Sequence, residues 1–229
     1  MTQDSDAPSG GEALPADSKL TTTKQRWARE GKFLTGRIAR AESDRLPPGQ
    51  HLVRDWPVLD LGVQPRIPLD RWRLDVTGEV EHPVSWDWAT FRAQKQTNEV
   101  TDIHCVTTWS RYDNRWEGVA TRDLLDLVMP KAGATHVMLH SYDGYTTNLA
   151  LEDFAAEDAL VVHSWEGAPL SVEHGGPVRV VVPHLYFWKS AKWLKQIEFR
   201  TVDRRGFWEE RGYHNHADPW LEQRYSDDE

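Results

Sequence analysis

The stretch VTDIHCVTTWS, residues 100–110, alternates β-branched and polar residues and ends in a histidine, a cysteine and a run of hydroxyl and indole side chains. A period of two is the pattern of a strand with one buried face, so the segment predicts a strand that delivers His104 and Cys105 at its end. Beyond it a helix is expected over residues 121–128, with Thr121 as N-cap and Pro130 as its stop. Upstream, WRLDVTGEV sets Trp72, Leu74 and Val76 in alternation before a glycine, a half-buried strand running into a turn, and VSWDWATFRAQ predicts a turn into a short helix. Downstream, THVMLHSYDGYTTNLAL predicts a strand, a turn at Asp143-Gly144 and a returning strand or loop, and LEDFAAED a short acidic helix. ALVVHSWEGAPLS predicts a hairpin about Glu166-Gly167, and VRVVVPHLYFWKSAKWLKQIEFRTVD two more strands around a basic, aromatic loop, before a tail rich in Trp and Tyr. There is no internal repeat. The mixture predicts an α+β domain of several β units, a fold class that names no function by itself.

Residues 1–24 are rich in Ser, Thr, Asp, Pro and Gly, lack the apolar side chains that offset ordering entropy, and are expected to be a mobile tail. Trp27, Phe33, Leu34 and Ile38 recur at loosely helical spacing over residues 25–42, which predicts one or two short helices. The following LPPGQHLVRDWPVLDLGVQPRIP holds five prolines and should run extended, crossing the surface or lining a site. A single domain over 25–229 is the expected organisation. With 27 Lys+Arg against 36 Asp+Glu the chain carries a formal charge of −9, which argues against a nucleic-acid binder, since that needs a basic face for phosphates. At 229 residues it should bury roughly 70% of its unfolded surface, enough core to hold a cofactor. Neither an export-signal pattern nor an apolar stretch of membrane-spanning length is present, so a cytoplasmic protein without a membrane span is expected; a mature exported form reads the same way.

Three segments carry candidate chemistry. Cys105 is the single cysteine, which excludes an intrachain disulfide and a multi-cysteine zinc site. A lone thiol is commonly a small buried hydrophobe; among Thr107, Thr108, Trp109 and Ser110 it is also placed to be a soft metal ligand or a nucleophile. HGGPVRVVVPHLYFWKSAKWL gathers His174, Arg179, His184, Lys189 and Lys192 in an otherwise acidic chain. These are either solvated bases on a core strand or an anion cradle in which Gly175 and Gly176 admit a ligand and Arg179 supplies a planar fork. No dinucleotide or triphosphate fingerprint accompanies them. In GFWEERGYHNHADPW, His214 and His216 could form part of a metal site, and Tyr213 could donate a proton or hydrogen bond to a developing oxyanion.

Taken together, these segments resemble the molybdopterin-binding domain of the sulfite oxidase family. DIHCVTTWSRYDNRWEGV is similar to the family's molybdenum-ligand segment, with Cys105 at the place of the metal-binding thiolate, and HGGPVRVVVP followed by KSAKWLKQIE is similar to its second cofactor segment. The resemblance implies a sulfite oxidase fold of mixed sheets and short helices and a molybdenum–molybdopterin cofactor. It implies cofactor contacts at His174, Arg179, Lys189 and Lys192, and an active-site tyrosine at Tyr213. VRDWPVLDLG is similar to the segment that packs along the pterin, which adds Arg54 and Asp55, although family members often carry Asn at the latter position; His104 and Ser141 are further polar candidates.

After the cysteine the chain reads Val-Thr-Thr-Trp-Ser where animal and plant sulfite oxidases carry an Arg-rich sequence, so the resemblance is to the short bacterial relatives, including the protein-methionine-sulfoxide reductase catalytic subunit, rather than to enzymes of the sulfite dianion. The implied activity is oxygen-atom transfer to or from a small sulfur or nitrogen oxo compound, cycling Mo(VI) and Mo(IV). With no C-x-x-C-H haem site, electrons must pass through a separate partner. The alternative is a cofactor-free β-rich binding domain with a structural cysteine and a Trp-rich contact surface.

Overall fold

Trp72, Leu74 and Val76 point the same way along an extended segment and are completely buried, while the residues between them are not. This alternation builds one of the two sheets in the computed structural model, which describes residues 44–228; they lie within a compact unit, Ala39–Glu229. The tail expected at 1–24 and the short helices expected within 25–42 lie outside the described residues.

In chain order the elements are β1 (His51–Leu52), β2 (Arg73–Gly78), β3 (Val84–Asp87), α1 (Trp88–Ala93), β4 (Thr97–His104) and β5 (Trp109–Ala120). They continue with α2 (Thr121–Val128), β6 (His136–Ser141), β7 (Thr146–Ala150), α3 (Leu151–Phe154), β8 (Leu160–Trp165), β9 (Ala168–Pro169), β10 (Arg179–Val181) and β11 (Leu194–Arg200). One sheet has the order β3-β2-β11-β6-β7, in which β2 and β11 run parallel and the other pairs antiparallel. The other sheet is organised about the twelve-residue β5. It pairs antiparallel with β4 and β8 and, at its start, parallel with β1, and β10 and β9 extend from β8. Two mixed sheets with short helices are the α+β architecture expected.

A bulge falls between Glu117 and Gly118 where β5 meets β8. Gly118 is required there because a Cβ would stand 2.2 Å from the Val161 carbonyl oxygen. The segment expected as a turn before α1 is the strand β3, and Asp87 then caps the helix by accepting from the Thr90 N–H at 2.8 Å, an interaction worth about 1 kcal/mol. Thr121 is not the cap of α2: Ala120 holds that position, and the Thr121 hydroxyl donates instead to the Ala159 carbonyl, tying the helix start to the chain before β8. Met129 in the left-handed conformation, ahead of Pro130, ends the helix. The β5-centred sheet contributes Ile103, Trp109, Trp116, Leu160, Val162 and Val181 to a core that also packs Trp56, Tyr186, Phe187 and Cys105. The cysteine thus sits where this core meets a cavity.

Candidate functional site

The turn between β4 and β5 is closed by two backbone bonds, Cys105 N–H to Trp109 O at 2.8 Å and Thr108 N–H to Cys105 O at 3.0 Å, with Thr108 at φ 75°. Gln50 adds a bond from Nε2 to the Cys105 carbonyl at 3.0 Å, and Arg224 donates to the Val106 carbonyl at 2.7 Å. The loop is therefore pinned from both sides. Its product is a single thiol, 6% exposed, at the wall of a cavity of about 330 Å³, within the size range of small-molecule sites. Burial pushes the Cys105 thiol up, opposed by the Thr107 hydroxyl at 3.2 Å and by the charge of Arg224. Such a sulfur is an inert thiol unless a cation replaces its proton, which is the condition of a metal ligand.

The cavity gathers side chains from distant parts of the sequence. The proline-rich stretch supplies Trp56, Leu59 and Asp60, the Asp143-Gly144 turn supplies Ser141 and Asp143, and the segment after β10 supplies Ser190 and Lys192. Arg179 is 1% exposed and its guanidinium donates only to carbonyls, those of His174 at 2.9 Å, Ser190 at 2.7 Å and Val180 at 3.3 Å. Burial lowers its pKa to about 9. Lys192 likewise donates to the Leu59 and Glu173 carbonyls, and burial, then the Arg179 charge, bring it down to about 8. Asp60 and Asp143 oppose that shift, and the Asp143 carboxyl is itself pushed up by burial. His174 lies stacked on Trp56 at 3.8 Å with its planes 5° apart, and burial and the same two cations lower it to about 4. Two buried cations beside a cavity, with a neutral imidazole whose proton they disfavour, are the electrostatic counterpart of an anion.

The fit to a polar, anionic group can be tested on atoms that have no partner. Among the described residues, Ser141 Oγ and Trp109 Nε1 are buried in the cavity lining without a hydrogen bond, and so is His174 Nδ1 behind Trp56. Buried polar atoms are nearly always satisfied, so the two orphans in the cavity lining point to a ligand that satisfies them. The donor set present, a thiol, hydroxyl, indole, imidazole and two cations, fits a sulfur-bound metal with an anionic organic cofactor.

Tyr213 lines the same cavity. Its ring stacks on Trp208 at 4.9 Å and 18° and meets the edge of Trp188 at 4.9 Å and Tyr225 at 5.7 Å. Burial raises the phenol pKa, and Tyr225 and Cys105 raise it further, so the group keeps its proton at neutral pH.

The structure thus brings Cys105, Ser141, Arg179, Lys192 and Tyr213 into one cavity wall, with His174 stacked on the lining residue Trp56. Arg54 and Asp55 are exposed and stand outside the lining; their neighbour Trp56 is what the proline-rich stretch contributes. Two further expected cofactor contacts, His104 and Lys189, do not line the cavity. His104 precedes Cys105 in extended chain, so its side chain takes the other face, where Nδ1 pairs with Ser110 Oγ at 2.8 Å and the ring meets Trp220. Lys189 is 1% exposed and turned away from the cavity, where Nζ lies 2.7 Å from Glu209 Oε1 and donates to the backbone and side-chain oxygens of Asn148, both at 3.0 Å. Gly175 and Gly176 make room for the chain itself: a Cβ on Gly175 would stand 2.9 Å from the Cβ of Lys192, and one on Gly176 2.3 Å from the Leu170 carbonyl oxygen. His214 accepts from the backbone N–H of His216 and Ala217, and among the described residues no three His, Cys, Asp or Glu side chains converge as metal ligands. Sequence reasoning missed Trp56, Glu209 and Arg224. Only Trp56 carried a signal, its place in a stretch expected to line a site.

The fold, the lone thiol and the base cluster define a cofactor-binding oxidoreductase domain. The chain belongs to the family described as "Oxidoreductase molybdopterin binding domain", which matches residues 61–208. It is 45% identical over 186 residues to "Uncharacterized oxidoreductase YuiH" of Bacillus subtilis, covering 81% of this chain and 94% of that one. It is 26% identical over 177 residues to the protein-methionine-sulfoxide reductase catalytic subunit MsrP of Campylobacter jejuni, and spans 57% of that protein's length. With the nitrate reductase [NADPH] of Fusarium oxysporum it shares 38% identity over 153 residues, 17% of that enzyme. Among solved structures, the sulfane dehydrogenase SoxCD of Paracoccus pantotrophus superposes with a TM-score of 0.58 over 69% of this chain and 46% of that one, at 16% identity, a likeness of fold. The resemblance read from the sequence is borne out.

Proposed function

We propose that this chain is a molybdenum-cofactor oxidoreductase that transfers an oxygen atom to or from a small sulfur or nitrogen oxo compound, with Cys105 as the protein's ligand to the metal. The observation that carries it is one buried thiol at the wall of a cavity whose cations and orphaned polar atoms call for an anionic partner. The cofactor, when bound, supplies two-electron oxygen-atom chemistry through molybdenum. Arg179, Lys192 and His174 would hold its anionic part, Ser141 Oγ and Trp109 Nε1 would satisfy its polar edge, and the exposed Arg54 and Asp55 would flank it at the rim beside Trp56. Thr107 Oγ1 steadies the Cys105 sulfur.

Tyr213 Oη, kept protonated, donates a hydrogen bond to the oxygen being transferred and can pass it a proton, while Trp188 and Trp208 exclude water from that end of the cavity. Reduction of a sulfoxide or N-oxide consumes two electrons and two protons and releases water; oxidation runs the same balance backwards. Electrons come from or go to a separate carrier. The names of MsrP and nitrate reductase support sulfur and nitrogen oxo substrates. No helix among the described residues is long and apolar enough to cross a membrane. The compartment proposed is the cytoplasm, to be tested by fractionation, and the working unit one domain over residues 25–229.

The test is elemental analysis with pterin release on protein from a host that makes the cofactor. About one molybdenum per chain, lost in Cys105→Ser, is the expected result. Full metal and pterin in Cys105→Ser overturns the assignment of the ligand, and neither in the wild type favours the cofactor-free binding domain.

A further inference from the structure

Glu209 is a buried acid outside the cavity lining. Its side chain is inaccessible, and Oε1 collects the Lys189 ammonium at 2.7 Å, the Thr147 hydroxyl at 2.7 Å and the Trp188 indole N–H at 3.0 Å. Lys189 is held in turn by the two oxygens of Asn148. Burying a carboxylate and an ammonium side by side gains little net stability, and such a pair is better explained by what it fixes in place. Two things are fixed here. Glu209 begins the short 3-10 turn Glu209–Arg211 that leads through Gly212 to Tyr213, with Trp208 just before it, and the Tyr213 N–H returns to the Trp208 carbonyl at 3.1 Å. The same carboxylate grips Trp188, which comes from a different segment, and the Trp188 carbonyl is held by the Tyr145 hydroxyl at 2.7 Å. One carboxylate therefore anchors both walls of the slot in which the Tyr213 ring lies, the stacked face of Trp208 and the edge of Trp188.

We infer, resting on the reading of the cavity proposed above, that Glu209 with its counter-ion Lys189 is the positioning pair for Tyr213: it acts through Trp188 to set the direction of the phenol and touches neither cofactor nor substrate. An error of about 1 Å in a reacting group costs roughly 10²-fold in rate, so release of Trp188 is expected to act on turnover rather than on binding.

The experiment uses the full-length, cofactor-loaded chain with reduced methyl viologen as electron donor and dimethyl sulfoxide or trimethylamine N-oxide as probe. The double variant Lys189→Met/Glu209→Leu replaces a buried ion pair by apolar side chains of similar size, which keeps the fold, and removes the acceptor of the Trp188 indole. Expected are unchanged molybdenum and pterin per chain, KM within about twofold and kcat lower by about tenfold or more. The Trp188 Nε1–H resonance of ¹⁵N-indole-labelled protein should move upfield. Trp188→Phe keeps a ring beside Tyr213 but cannot reach Glu209; it should reproduce the loss of kcat and decides the matter if the double variant does not fold. Wild-type kcat in both variants overturns the inference, as does a loss of activity only in proportion to lost metal. If the wild type itself holds no molybdenum, the reading of the cavity has failed, and the indole resonance of the cofactor-free chain still decides the clamp: no shift in the double variant refutes it.

Discussion

Replacing Arg179 by methionine separates a cofactor cradle from a structural cation. The guanidinium is 1% exposed, has no carboxylate partner among its contacts, and is held by three carbonyls. Its pKa stands at about 9, and at about 1.4 kcal/mol per tenfold in proton affinity the displacement from an ordinary arginine corresponds to roughly 5 kcal/mol against the charged form. The sign is that of a depressed base: below pH 9 the group stays charged in both folded and unfolded chains, so the cost is fully present at neutral pH. Methionine removes that cost and forfeits three carbonyl acceptors at about 1 kcal/mol each. It also loses cation–π contacts with Phe187 at 4.2 Å and Trp56 at 5.4 Å, together worth about 1–2 kcal/mol. The contributions nearly cancel, so cofactor-free Arg179→Met should unfold in urea within about 2 kcal/mol of the wild type. Its pterin affinity, followed by equilibrium dialysis, should fall about 100-fold, as for a charge-assisted contact worth about 3 kcal/mol. A loss above about 4 kcal/mol in the cofactor-free chain, or wild-type pterin retention, would refute the reasoning.

Further outcomes are expected. Sulfate, whose charge is constant over the range, should bind the cofactor-free chain less tightly as pH rises through about 8, where Lys192 gives up its proton, and Lys192→Gln should flatten that part of the titration by calorimetry. Tyr213→Phe should keep full molybdenum and lose about 10²-fold in kcat; equal turnover in steady-state assays would remove the phenol from the chemistry. Gly118→Ala should cost about 3 kcal/mol in urea unfolding, because its Cβ would collide with the Val161 carbonyl; an unchanged midpoint would contradict the packing of β5 on β8.

The fold class was legible because some strands carry the two-residue period: Trp72, Leu74 and Val76 alternate, and so does the run into Cys105. Turns were legible where glycine marks them, at Asp143-Gly144 and Glu166-Gly167. What sequence could not supply was direction. Lys189 and Lys192 lie three residues apart in a basic, aromatic loop, yet one turns inward to Glu209 and the other to the cavity, a choice made by partners far along the chain. His104 stands outside the cavity lining because the alternation that predicted its strand also sends it to the opposite face from its neighbour. Glu209 and Arg224 were invisible because an acid and an arginine in a charged tail look solvated until the tail is seen to fold back, Arg224 onto Val106 and Glu209 beneath Trp188.

The parallel pairing of β2 with β11 brings together residues 75–78 and 196–199. During synthesis, the β5-centred sheet has all its strands once Val181 has left the ribosome, whereas the second sheet lacks its middle strand until β11 emerges. Closing so long a loop adds entropy cost only slowly with length, but contacts this distant in sequence form late. The strands that flank the thiol are therefore all synthesised before Lys192 and Tyr213, two of the residues that close the cavity from the C-terminal side.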